Sequence, residues 1–182
     1  SGTGVITNVN SATTTITGLS IGENVFRWSI SNGPCAVNPP NDLVSIFIHN
    51  ANAPAANAGV DQQLCTPSTG TLLTANAAVF PATGQWTVVS GSGSFTSASN
   101  PNTVVTGLGL GVNTFRWTLN NGPCANPVTQ DDVNITVYSS ANAVAHAGPD
   151  QDLCTPANST SLAGSAVTAP ATGTWTLVGG SG

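Results

Sequence analysis

Four cysteines are the residues of this chain best suited to chemistry, and they occupy two kinds of position. Cys65 and Cys154 lie in the motif Leu-Cys-Thr-Pro, whereas Cys35 and Cys124 lie in the motif Asn-Gly-Pro-Cys. No Cys-x-x-Cys pair or Cys/His cluster accompanies them, which argues against a metal site. Because an even number of regularly spaced cysteines favours crosslinks, we predict that all four form disulfides.

The remaining titratable residues show no catalytic pattern. His49 and His146 lack the neighbouring Ser or Asp pattern that a catalytic base requires. Several carboxylates cluster near predicted loops, where bound calcium would stiffen a junction between domains. No calcium-loop spacing is present, however, so solvated acids are the preferred interpretation. The carboxylates concerned are Asp61, Asp131, Asp132, Asp150 and Asp152. We expect no enzymatic activity and no cofactor.

Arg27 and Arg116 are the two basic residues of the chain. They could anchor a ligand on the outer face of a sheet. The preferred interpretation is that their aliphatic stems cover the sheet while the charge meets a carboxylate such as Asp42 or Asp131.

Composition excludes several classes of function. Charged residues make up 5 % of the 182 residues, against roughly 25 % in an average soluble domain. With 2 basic residues and a formal charge of −5, the chain cannot neutralise nucleic acid or bind an anionic lipid surface. No run of 18 apolar residues is present, so no membrane insertion is expected. The 20 glycines and 12 prolines favour β-structure rich in turns.

An internal repeat of 89 residues organises the chain. The segment Phe26–Trp28 recurs as Phe115–Trp117, and Trp86 recurs as Trp175, each 89 residues later. Such a period is too long for a solenoid unit and suits a small β-sandwich.

Small polar stretches around residues 50–55 and 139–143 resemble linkers and place the boundaries of the repeat. Residues 1–52 are predicted to be the C-terminal part of a preceding repeat, and residues 53–140 a complete repeat. Residues 141–182 are predicted to be the N-terminal part of a following one. The chain is therefore expected to be a window on a longer tandem array.

Alternating patterns in the complete repeat predict about seven short strands and no helix, as in an immunoglobulin-like sandwich. The first strand is expected over Ala55–Leu64 and the last over Asp132–Tyr138. Trp86 and Val88 are expected on one buried face of the third strand. The predicted core aromatic residues are Trp28, Trp86, Trp117, Trp175, Phe26 and Phe115.

The order of these motifs resembles the PKD-like, immunoglobulin-like tandem repeats of very large surface proteins in gliding and other Bacteroidetes-type bacteria. The segments that carry the resemblance are Asn57–Gln62, Leu64-Cys65, Gly84–Gly91, Thr106–Leu108, Phe115–Trp117, Asn121–Cys124, Asp131–Val133 and, in the next copy, Ala147–Gln151. The resemblance covers the whole chain. It implies tandem seven-stranded β-sandwiches, secretion to the cell surface, a fibrous or adhesive role and no catalysis.

Two disulfide arrangements remain open in such an array. Tandem domains usually crosslink within themselves, which predicts a bond between Cys65 and Cys124. In a standard sandwich, however, these positions lie at opposite poles, separated by about eight residues of strand at ~3.3 Å each. That is far beyond the ~6 Å between Cα atoms that a disulfide spans. The alternative is a bond between the touching poles of successive domains.

The function predicted from the sequence is a structural stalk, namely the shaft of an extracellular fibre or giant surface adhesin. Its expected partners are neighbouring repeats and other copies of the fibre. The alternative is a polysaccharide- or surface-binding module, which needs exposed aromatic rings. Outside the presumed core the sequence offers Tyr138, Phe47, Phe80 and Phe95 for that role. Complementary half-repeats could also complete each other between separate chains, although one continuous polypeptide is preferred.

Overall fold

The computed structural model describes residues 3–31, 33–35, 39–124, 127–141 and 143–180, with Cys35 described by its backbone alone. Regular structure in these residues consists of strands, apart from one turn of 3-10 helix at Gly33–Cys35. The all-β fold class predicted from the alternating pattern is thus confirmed. In the described ranges, no helix is long and apolar enough to cross a membrane.

Two small antiparallel sheets precede the central part of the chain. The first pairs β1 (Val5–Ile6) with β2 (Ile16–Thr17), and the second pairs β3 (Gly22–Ser29) with β4 (Asn41–Ile48). No strand is assigned between residues 143 and 180.

The central part of the chain forms two larger sheets. Its strands are β5 (Gln62–Cys65), β6 (Gly70–Thr74), β7 (Thr83–Ser90), β8 (Ser94–Phe95), β9 (Asn102–Thr106), β10 (Gly111–Asn120) and β11 (Val128–Tyr138). One sheet has the order β5-β11-β10-β7, and the other has the order β6-β9-β8. β5 runs parallel to β11, whereas every other pairing in these two sheets is antiparallel.

The core of the central part lies between these two sheets. Side chains alternate along a strand, so Phe115 and Trp117 of β10 point inward while Arg116 points outward. Trp86 packs on Trp117 with a ring separation of 5.1 Å. The apolar side chains that are at most 1 % exposed are Leu73, Trp86, Val105, Phe115, Trp117, Val133, Ile135 and Val137, together with Ala58. Each large one contributes about 1.5–3 kcal/mol on burial.

The β3–β4 pair repeats the β10–β11 pair at a distance of 89 residues. Gly22 pairs with Ile48, just as Gly111 pairs with Val137, and the rest of the register follows the same offset. The sequence similarity between these two segments is therefore matched by identical strand pairing.

Three predicted core positions differ from expectation. Trp28 is 43 % exposed and Trp175 is 54 % exposed, although both were expected in the core. In the central part the corresponding rings, Trp117 and Trp86, pack on each other, and neither exposed ring has such a partner among the described residues. Val88 is also 43 % exposed, although it pairs with the buried Phe115, because it lies on the edge strand β7. Phe26 is partly buried.

Candidate functional site at the two ends of the central sheets

Cys65 and Cys124 lie at opposite ends of the four-stranded sheet. Cys65 pairs with Tyr138, the last residue of β11, whereas Cys124 follows Asn120, which pairs with Val128 at the start of β11. Ten steps along this strand at ~3.3 Å each separate the two ends by roughly 33 Å. A disulfide requires Cα atoms within about 7 Å. The geometry therefore rules out a bond between Cys65 and Cys124 within one copy of the fold.

The described cysteines are all free thiols. Cys65 and Cys154 are exposed, and Cys124 is partly exposed. The predicted disulfides are thus absent among these three residues, while the side chain of Cys35 lies outside the described part of the chain.

The end that carries Cys124, here called the entry end (Asn120–Cys124), contacts the segment that precedes the central sheets. The Asn121 side-chain amide donates a hydrogen bond of 2.7 Å to the carbonyl of Asn50. The ring of His49 lies against Gly122 so closely that a Cβ on this glycine would come within 2.6 Å of the ring. The φ of Gly122 is also +64°, a backbone conformation that favours glycine. Glycine is therefore needed at this position both for the space beside the His49 ring and for the backbone conformation.

Two polar atoms at the entry end are buried without a hydrogen-bond partner among the described residues. They are Nδ1 of His49 and Oδ1 of Asn121, and Asn121 as a whole is only 9 % exposed. An unsatisfied buried polar atom costs about 1–3 kcal/mol, so native structures contain few of them. The polar contacts of this end are therefore incomplete among the residues that the structure describes.

The opposite end, here called the exit end (Cys65-Thr66 with Tyr138–Ser140), fixes the chain as it leaves β11. The backbone N–H of Thr66 donates to the carbonyl of Tyr138 at 2.9 Å, and that of Ser140 donates to Oγ1 of Thr66 at 2.8 Å. Cys65 is therefore held beside the departing chain.

Arg116 forms an ion pair with Asp132 on the outer face of the sheet. Its Nε and Nη2 atoms donate to the two carboxylate oxygens at 2.7 and 2.8 Å. The hydrogen bond from Arg116 holds the pKa of the Asp132 carboxyl below its usual value, and Asp132 raises the pKa of the guanidinium.

The partner proposed for Arg116 from the sequence, Asp131, has a different role. Asp131 points to the other face of the strand and accepts a hydrogen bond of 2.8 Å from the N–H of Ala58. Arg27 lies opposite Leu43, the counterpart of Asp132, and forms no ion pair in the described ranges. Asp42 instead accepts a hydrogen bond from the N–H of Leu43.

The remaining carboxylates do not converge. Asp61 accepts a hydrogen bond of 2.8 Å from the N–H of Asn134, which attaches the segment before β5 to β11. Asp150 and Asp152 are exposed. Among the described residues, no three His, Cys, Asp or Glu side chains come close enough to hold a metal ion.

Two aromatic side chains are exposed near the entry end. Phe47 and Phe80 are 47 % and 59 % exposed, with ring centroids 6.1 Å apart at an angle of 67°. Phe95 packs against Trp86 and Phe115 at the edge of the core, and Tyr138 is partly buried.

Sequence reasoning did not identify Asn113, which is 1 % exposed. Its amide donates to the carbonyls of Gly109 and Ile135 at 2.8 and 3.3 Å, and its Oδ1 accepts from the N–H of Ser92 at 2.9 Å. One side chain thus joins three segments. The signal in the sequence was Asn24, which lies 89 residues earlier and makes the corresponding bonds to Ser20 and Ile46.

No family model and no curated protein matches this chain. Among solved structures, it is similar to the solution structure of the PKD domain from the KIAA 1837 protein, with 23 % identity and a TM-score of 0.42. That match covers 56 % of this chain and 96 % of the other. The PKD domain from human KIAA0319 is also similar, with 18 % identity, a TM-score of 0.40, and coverage of 53 % and 87 %.

Proposed function

We propose that this chain is part of a structural shaft, an extracellular fibre or giant surface adhesin made of tandem PKD-like β-sandwiches. The observation that carries the proposal is the path of the chain. It reaches the central sheets beside Asn121 and Gly122, where β11 begins, and departs beside Thr66, where β11 ends. Units entered at one end and left at the other stack lengthwise when they are repeated.

The pairing of the outer strands suits a load-bearing role. β5, near the start of the central unit, runs parallel to β11 at its end, with four residue pairs from Gln62 to Cys65. Tension along the chain pulls these two strands in opposite directions along their length. All their hydrogen bonds are then loaded together instead of being opened one at a time.

The surface and composition suit an extracellular polymer with neighbouring repeats as its partners. With 5 % charged residues, repeat contacts depend little on salt. In this proposal the chain has no catalytic role, binds no nucleic acid, and works through spacing, stiffness and tensile strength.

A binding role is the second candidate, and the exposed pair Phe47 and Phe80 favours it. Aromatic rings of this kind could contact a polysaccharide or another surface. Trp86 and Trp117 are buried and do not extend such a platform. A double substitution, Phe47→Ser with Phe80→Ser, should abolish polysaccharide binding if this role is correct and should leave particle length unchanged.

Length measurements on head-to-tail fusions test the shaft. Because 178 residues are two periods of 89, joining copies of residues 1–178 keeps the repeat in phase. β11 has 11 residues, which at ~3.3 Å each gives an axial rise of about 36 Å per repeat, or roughly 70–80 Å per added copy.

Electron microscopy of fusions with one to four copies, kept in a reducing agent, should show thin particles whose length grows linearly with copy number. Compact particles whose diameter grows only as the cube root of mass would refute the shaft.

A further inference from the structure

We propose that successive repeats are joined by disulfides between their touching ends. Cys124 at the entry end would bond to the Cys65-equivalent cysteine of the preceding repeat. Cys65 at the exit end would bond to the Cys124-equivalent cysteine of the following repeat. The inference rests on the proposed tandem array.

The strand register places the first partner. Cys65 pairs with Tyr138 across the parallel β5–β11 ladder. The residue 89 positions before Tyr138 is His49, which follows β4 directly. Because β3 and β4 share the register of β10 and β11, the corresponding cysteine of the preceding repeat is placed beside His49.

The contact at the entry end places the second partner. The ring of His49 lies against Gly122, two residues before Cys124. Neighbouring strands are about 4.8 Å apart, and two residues span at most about 7 Å. Both cysteines are thus placed at one junction, and the proposed bond requires the loop that carries Cys124 to bring the Cα atoms to the separation of about 4.4–6.8 Å that a disulfide spans.

Two further features agree with this pairing. Cys65 is exposed and Cys124 is partly exposed, so both thiols are accessible to an oxidant. Nδ1 of His49 and Oδ1 of Asn121, which have no hydrogen-bond partner among the described residues, lie at the same junction, where the rest of the preceding repeat would supply partners.

The reaction is a two-electron oxidation. Two thiols lose two protons and two electrons, and a sulfur–sulfur bond forms between the repeats. The electrons reduce a disulfide oxidant, which becomes two thiols. Glutathione disulfide serves as that oxidant in the test.

A fusion of two copies of residues 1–178 distinguishes the possible pairings. The fusion contains two complete junctions between successive repeats. The proposal pairs Cys65 of the first copy with Cys35 of the second copy at one junction. At the other it pairs Cys154 of the first copy with Cys124 of the second. The monomeric fusion is oxidised with glutathione disulfide, its free thiols are blocked, and it is digested with trypsin without reduction. Trypsin cuts each copy only after Arg27 and Arg116, because the chain has no lysine.

The proposal predicts two crosslinked products by mass spectrometry. Peptide 28–116 of the first copy should be joined to peptide 28–116 of the second. The peptide that spans the fusion point should be joined to the last peptide, 117–178 of the second copy. Bonds within a repeat would instead join the spanning peptide to peptide 28–116 of either copy. That result, or free thiols throughout, would overturn the proposal.

Two controls complete the experiment. In the single 182-residue chain, the partners that the proposal gives to Cys65 and Cys124 are not present, so the thiols should stay free. A bond between Cys65 and Cys124 would instead join peptides 28–116 and 117–182 of this chain and would contradict the proposal. Cys65→Ser in the first copy of the fusion should remove the first crosslink and leave the second. If the shaft proposal itself is wrong, electron microscopy of the fusions under reducing conditions will show compact particles. That result is independent of whether the disulfides form.

Discussion

Asn113 shows how much one buried polar side chain contributes to this fold. It satisfies backbone groups of Gly109, Ser92 and Ile135, and its own side chain is 1 % exposed. We expect Asn113→Ala to lower the free energy of unfolding by about 2–4 kcal/mol, since each buried group left without a partner costs about 1–3 kcal/mol. Urea unfolding followed by tryptophan fluorescence measures the loss.

Asn158→Ala is the matched control for this prediction. Asn158 is exposed, and substitutions at such positions usually change stability by less than about 0.5 kcal/mol. Equal effects of the two substitutions would show that the hydrogen bonds of Asn113 contribute nothing beyond those of a surface asparagine.

The ion pair between Arg116 and Asp132 gives a prediction about pH. Because the pKa of Asp132 is lowered in the folded protein, its contribution to stability is present above the usual carboxyl pKa of about 4 and is lost as pH falls through the lowered value. The pair is more than one-third exposed, so salt should weaken it.

Arg116→Gln should return the pKa of Asp132 towards its usual value in a carboxyl NMR titration. Arg27→Gln, the substitution 89 residues earlier, should leave that titration unchanged. An Asp132 pKa that is the same with and without Arg116 would contradict the assignment.

At this scale the sequence predicts apolar positions better than polar contacts. The burial of Trp86, Phe115 and Trp117 follows from alternation along single strands, which is a local property. The choice of Asp132 over Asp131 as partner of Arg116 depends on which face of β11 each residue occupies and on the pairing of β11 with β10. Tertiary pairing, which the local pattern does not contain, decides that contact.

The elements were predicted most closely where alternation is long. The expected last strand over Asp132–Tyr138 is observed as Val128–Tyr138. The expected strand over Ala55–Leu64 is observed only as Gln62–Cys65, because the preceding residues are held by side chains of β11. Thr129 and Asp131 accept hydrogen bonds from the N–H groups of that segment in place of a regular ladder.

The loop at the entry end gives a prediction at the scale of elements. Gly122 and Gly33 lie 89 residues apart and have φ values of +64° and +61°, but only Gly122 has His49 against it. Alanine at either position should cost about 1–2 kcal/mol through the left-handed backbone. Only Gly122→Ala should also displace the His49 ring, which a large shift of its ring protons by NMR would report.

Gly33→Ala is thus a control that shares the backbone strain and lacks the contact. If both variants leave the His49 resonances in place, the entry end does not hold the preceding segment, and the proposed position of the disulfide would lose its support.

For the whole molecule, the segments on either side of the central unit, residues 3–50 and 143–180, each expose a tryptophan whose counterpart in the central unit is buried. Beside Trp175 lies an open groove of about 720 Å³, lined also by His146 and Val167. In the central unit the ring of Trp117 packs against Trp86, the counterpart of Trp175. Trp28 is the counterpart of Trp117 and is itself exposed. Residues 143–178 and 1–52 thus correspond in sequence to the first and second halves of the central unit.

A fusion of two copies of residues 1–178 should bring these halves together and bury Trp175 of the first copy against Trp28 of the second. In the single chain two of four tryptophans are exposed, namely Trp28 and Trp175. In the fusion two of eight should remain so, because the joined halves form a second complete core. Acrylamide quenching should therefore show the accessible fraction of tryptophan fluorescence falling from about one-half to about one-quarter. An accessible fraction that stays at about one-half in the fusion would refute the 89-residue unit. If the exposed tryptophans become buried when unfused chains are mixed, separate chains complete each other by strand exchange.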